Sequence, residues 1–136
     1  MSDMLIISDY NILLTLHKAI IEAKFSENPI HMELPGSHLL AQVSNQIVEI
    51  LIKKEIESGG YSAINWKRWR EIDEHRREWD IAMKYIVSHG QVWRTWERDR
   101  KEEFVRVLLS PYIISSELLD RFIIEADTAI NNNSVS

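Results

Sequence analysis

Apolar residues return every three or four positions along most of this chain, and the spacing changes phase at Pro, Gly and Ser, so it predicts helices separated by short turns. A first helix runs from about Asp9 to Phe25, with Ser8 or Asp9 as N-cap. Ile12, Leu13, Leu16, Ala19, Ile20 and Ala23 share one face, and Leu14, Ile21 and Phe25 form a second. A helix apolar on two sides is either central in its bundle or shared with another chain. Ser37 caps a second helix to about Ser58, with Leu40, Val43, Ile47, Ile50 and Leu51 as its stripe. Gly59 and Gly60 end it, since glycine takes the positive φ angles that close helices.

A third helix, capped by Ser62 or Asn65, is predicted to about Val87 or Ser88, with Trp69, Ile72, Trp79, Met83, Ile86 and Val87 inward. His89 and Gly90 separate it from a fourth, about Gln91 to Leu109, with Val92, Trp93, Trp96, Phe104, Val107 and Leu108 inward. Ser110 and Pro111 stop that helix. Ser115 or Ser116 starts a fifth, with Leu118, Leu119, Phe122, Ile123, Ala126 and Ile130 on one face. No linker interrupts the pattern, so residues 1–130 are expected to form one helical domain with a polar, disordered tail over 131–136. Short connections favour antiparallel neighbours, which makes a compact all-α bundle of four or five helices the expected architecture. Met4 to Ile7 suits an extended strand but has no second strand to pair with.

Composition narrows the setting. The 136 residues are 45% hydrophobic and 27% charged, enough apolar material for one core. There is no Cys, which removes disulfides, thiolate metal sites and thiol nucleophiles and fits a reducing compartment. Apolar runs such as Ile47 to Ile52 are too short to cross a bilayer, and Met1 to Ile7 lacks the basic residues of a secretory signal. A cytoplasmic location without membrane attachment is the expectation.

The net charge of -5 is unevenly spread, since eleven of the sixteen Lys and Arg residues fall within residues 66–106. The same stretch carries all five Trp residues, four of them in two pairs, Trp66 with Trp69 and Trp93 with Trp96, each pair three apart and therefore on one helix face. Arg76 follows Trp69 by seven residues and Arg100 follows Trp93 by seven, which has the form of a short pseudo-repeat. Two arrangements satisfy this pattern. Each guanidinium either stacks on an indole and pairs with a carboxylate such as Glu78 or Glu103, as scaffold, or Trp66, Trp69, Arg76, Trp93, Trp96 and Arg100 stay partly exposed as a binding surface, these being residue types enriched at interface hot spots. Nine acidic residues interrupt the basic ones, which suits a protein partner better than continuous phosphate tracking.

Residues 55–69, Glu55-Ile56-Glu57-Ser58-Gly59-Gly60-Tyr61-Ser62-Ala63-Ile64-Asn65-Trp66-Lys67-Arg68-Trp69, resemble the turn and recognition helix of a helix-turn-helix unit. Glycine in the turn and basic residues on the second helix carry the resemblance, which covers about twenty residues. It implies a DNA-binding regulator using residues 49–70, with Ser62, Asn65, Lys67 and Arg68 as contacts. The chain departs from that unit at Ile56, where a small residue is usual, at Trp66 and Trp69, where smaller aliphatics are usual, and in the length predicted for the second helix.

Catalytic signatures are weak. His17, His31, His38, His75 and His89 lack the paired spacing that puts two metal ligands on one helix face, so no metal and no cofactor are expected. Glu71 with His75, and Glu74 with Glu78, are pairs four apart on the predicted third helix, and the loop His31 to His38 is the one connection rich in His. The reading that remains is a small helical interaction or regulatory protein that binds another protein, with self-association through the first helix as one form.

Overall fold

The computed structural model describes residues 3–60 and 62–133 and is all-α, with seven helices among the described residues. They are α1 (Tyr10–Lys24), α2 (His38–Glu57), α3 (Ala63–Arg70), α4 (Arg77–Ser88), α5 (Gly90–Arg94), α6 (Arg98–Leu109) and α7 (Ser116–Asn133). Two of the caps read from the sequence are made as expected: Asp9 Oδ1 accepts from the Ile12 N–H at 3.0 Å, and Ser37 Oγ accepts from the Leu40 N–H at 3.1 Å, whereas Ser62 precedes α3 without a side-chain cap bond and Asn65 lies inside that helix.

The higher helix number arises because each of the two long central helices is broken. After Arg70 the chain leaves helical geometry to pair with a distant segment: the Ile72 N–H donates to the Ile113 carbonyl at 3.0 Å, and the Ile113 N–H donates to the Arg70 carbonyl at 2.7 Å. The Asp73 carboxylate then accepts from the His75 N–H at 2.9 Å, a local bond that competes with helix. The second break falls at Thr95, whose N–H and hydroxyl both return to the Val92 carbonyl. At the other end, α7 continues to Asn133, while residues 134–136 lie outside the described residues. Met4 to Ile7 form no strand; Met4, Leu5 and Ile6 are exposed, and only Ile7 packs inward.

Burial divides into two clusters. The larger is built from α4, α5, α6 and α7 with Phe25 and Ile72, and includes Trp79, Trp93, Leu108, Phe122 and Ile123. The smaller joins α1 to α2 through Leu13, Ile47 and Leu51, with Tyr10, Leu16, Ile20 and Trp66 against it. Helix α1 serves both, since Ile21 and Phe25 belong to the larger cluster, so its two apolar sides are both used within the chain. Its buried line is nevertheless rotated from the predicted one. Leu13, His17 and Lys24 are buried, whereas Ile12 and Ala19 face out. On α2 the buried line is Ala41, Ser44, Ile47, Val48 and Leu51, which leaves Val43 (46% exposed) and Ile50 (38%) outside. The α7 stripe lies as predicted, with Leu119, Phe122, Ile123, Ala126 and Ile130 buried.

The α2 to α3 turn depends on Gly59 and Gly60, at φ of 123° and 76°. A Cβ on Gly60 would meet no neighbour within 4 Å among the described residues, so the cost of Gly60→Ala is backbone strain, about 1 kcal/mol. A drop of that size in the urea unfolding free energy is expected; no change would mean that the turn relaxes freely.

Candidate functional site

The two Trp pairs, alike in spacing, sit in different surroundings. Trp66 and Trp69 are half-buried on α3 and meet edge-on at 5.6 Å between ring centroids. Trp66 packs on the smaller cluster and Trp69 on the larger, so the pair bridges the two. Between them stands the buried His17 ring, edge-on to Trp66 at 5.3 Å and to Trp69 at 4.9 Å. Its Nδ1 has no hydrogen-bond partner among the described residues, and burial, followed by the charge of Lys18, holds its pKa below the ordinary value. Trp69 also tilts against Tyr112 at 4.6 Å, and the half-buried Arg76 lies over the other ring of that contact, 5.1 Å from the Tyr112 centroid. Arg76 therefore stacks on a phenol from the segment after α6, where an indole was expected.

In the second pair, Trp93 is enclosed, at 2% exposure. Its indole N–H donates to Asp127 Oδ1 at 2.7 Å, Lys101 pairs with the same carboxylate at 3.0 Å, and the Lys101 ammonium lies 5.2 Å from the Trp93 centroid. Trp93 was expected on the binding surface but is scaffold, because the turn at Thr95 points it into the bundle against α7. Trp96, three residues on, is half-buried, edge-on to Phe104 at 5.1 Å, and Arg100 lies over it at 4.7 Å. Arg100 is exposed. Neither Arg76 nor Arg100 has a carboxylate within ion-pair distance among the described residues. The carboxylates expected to pair with them are engaged elsewhere: Glu78 accepts from the Tyr112 hydroxyl at 3.2 Å, and Glu103 meets His38 at 3.1 Å. Trp96, Arg100, Phe104, Gly36, His38 and Glu103 line one shallow hollow.

On α3, Asn65, Lys67 and Arg68 are exposed and Ser62 is half-buried. The break after Arg70 makes α3 an eight-residue helix. Arg70, which the sequence reading did not single out, faces inward: its Nε donates to the Pro111 carbonyl at 2.8 Å, and its Nη2 donates to Asn45 Oδ1 at 3.1 Å. The acid-base pair loses its common helix, since Glu71 and His75 fall in the irregular connection, both exposed. His31 and His38 are exposed as well, beside Glu33 and Glu103 respectively.

One group of chemical interest escaped the sequence reading. Lys24, at the end of α1, is 1% exposed. Its ammonium nitrogen donates to the Val107 carbonyl in the last turn of α6 at 2.7 Å and faces no carboxylate among the described residues. Burial pushes its pKa down to about 7. The signal was present: Leu13, His17, Ile20 and Lys24 recur at four, three and four residues, which places the lysine on the buried line. Lys24 lies in the wall of a cavity of about 370 Å³ between α1, the following loop and α4.

Comparison of the chain with protein families, with curated proteins and with solved structures finds no match.

Proposed function

We propose that the chain is a helical interaction protein of regulatory type, acting in the cytoplasm by binding another protein through Trp96 and Arg100. The observation that carries this reading is an exposed, uncompensated guanidinium lying on a half-buried indole, beside a hollow lined by Phe104 and Gly36. Trp and Arg supply most of the energy at interfaces when an aromatic anchor sits beside a donor fork that an incoming carboxylate can satisfy. The matching partner presents an acidic residue next to an apolar one. Trp66, Trp69 and Arg76 are half-buried and pack with His17 and Tyr112, apart from this hollow, and Trp93 holds α5 on α7.

Arg100→Ala is expected to lower stability by less than about 1 kcal/mol, the size of an exposed cation–π contact. It is also expected to remove at least one protein from the set captured on the immobilised chain in extracts of its own cells. Lys84→Ala, at another exposed cation, is the matched control. Identical capture by wild type and Arg100→Ala would exclude this surface.

A second reading draws on α3. Its eight-residue length and its separate turn suit a recognition helix better than the long helix expected from sequence, and Asn65, Lys67 and Arg68 point away from the core. Binding to duplex DNA that weakens steeply between 50 and 200 mM salt is the expected result on this reading. Absence of binding at low salt removes it.

A further inference from the structure

The cavity between the loop after α1 and α4 has the form of a ligand site separate from the Trp96 hollow, with which it shares no lining residue. Its volume, about 370 Å³, falls in the range of small-molecule pockets. The wall is graded from apolar to polar: Phe25, Ile81 and Leu108 are buried, whereas Asn28, Met32 and Lys84 are exposed. Helix α4 supplies both kinds of group from one face, since Ile81, Lys84, Tyr85 and Ser88 follow the i, i+3, i+4, i+7 spacing. The Tyr85 hydroxyl donates to the Met32 carbonyl at 2.9 Å and ties the loop to this helix. We propose that this cavity binds a medium-length aliphatic monocarboxylate, with its chain inward and its carboxylate at Lys84.

The buried part of the wall takes the chain, because hydrocarbon moves favourably from water onto apolar surface. The outer part selects the head group. The side chains of Lys84, Asn28 and Ser26 have no hydrogen-bond or ion-pair partner among the described residues, so three kinds of donor stand uncommitted along the wall. An ionised carboxylate only accepts, with room for about four hydrogen bonds, and can use all of them, which a single alcohol oxygen cannot. Charge points the same way. Lys24 borders the cavity, but its ammonium is held by the Val107 carbonyl at 2.7 Å, so it acts on a ligand through its charge and not by contact. Glu27 is the one carboxylate among the described lining residues, and it stands against two lysines. Below pH 7, where Lys24 is mostly protonated, the wall therefore carries one net positive charge, which favours a monoanion and disfavours a cation.

The test follows the side-chain methyl resonances of the full chain at pH 6.5 as octanoate is added. Met32, Ile81 and Leu108 are expected to shift and saturate together, without change at Ile124, an exposed apolar residue of α7 outside the cavity. Octanoate is expected to bind more tightly than octan-1-ol, octylamine or acetate, which lack the charge, reverse it or lack the chain. Lys84→Gln should weaken octanoate about fivefold and leave octan-1-ol unaffected, because only the carboxylate loses a charge-assisted bond. The proposal is overturned if the three methyls do not shift, if Ile124 shifts with them as it would on adsorption to any apolar surface, if one of the other three compounds binds as tightly, or if Lys84→Gln binds octanoate like the wild type.

Discussion

Replacing Lys24 by Met is expected to stabilise the chain at pH 7, by on the order of 1–3 kcal/mol, and to flatten its stability between pH 7 and pH 10. The amine titrates near 7 in the folded chain, against about 10.4 in an unfolded one. Between those values the unfolded chain binds the extra proton, so the stability of the wild type rises with pH, by several kcal/mol across the window. Glu27, Lys84 and Tyr85 share the cavity, and among the described residues no carboxylate lies within ion-pair distance of the amine, whose bond is to the Val107 carbonyl, so the charge that burial penalises is not restored. Above pH 10 the slope reverses. Tyr10, Tyr85 and Tyr112 are all held above the ordinary phenol value, Tyr10 chiefly by its bond to Glu55 and the other two chiefly by burial, so there the folded chain binds more protons than the unfolded one. Below pH 6.5 the buried His17, whose pKa is depressed, makes stability fall as acid is added, because the unfolded chain takes up its proton first. Urea titrations of wild type and Lys24→Met at pH 7, 8.5 and 10 read the effect directly. A variant less stable at pH 7 would mean that the bond to Val107 outweighs the cost of burying the amine.

Trp93→Ala carries the other large effect, a loss of about 3–5 kcal/mol, the cost of emptying a fully buried aromatic site. The indole fills the space between α5 and α7 and donates to Asp127, while Lys101 covers its face. Trp93→Phe should lose less, about 1–3 kcal/mol, because Asp127 keeps its ion pair with Lys101 when the N–H is gone. Trp96→Ala empties only a half-buried site and should cost clearly less than Trp93→Ala. Equal losses at the two positions, measured by chemical denaturation, would contradict the division between frame and surface.

The caps at Asp9 and Ser37, the glycine turn and the inward line of α7 were legible in the chain because each rests on neighbours within a few residues. The breaks at Glu71 and Thr95 were not. Apolar spacing runs through both, and the bond that draws Ile72 out of helix comes from Ile113, far along the chain. The same limit applies to the site. Trp93 and Trp96 are equivalent on an unbroken helix, and only the turn between α5 and α6 makes one a core residue and the other a rim. The rotation of α1 and α2, which buries Lys24 and exposes Val43 and Ile50, was set by which neighbours pack against them. Periodicity gives a stripe its width but leaves its centre to tertiary contacts.

Oxidative footprinting of the tryptophans, in the free chain and in the presence of a protein whose capture depends on Arg100, tests the proposed surface most directly. Trp96 is expected to be oxidised in the free chain and protected in the complex, while Trp93 is protected in both. Trp96 as protected as Trp93 in the free chain, or equally oxidised with and without the partner, would contradict it.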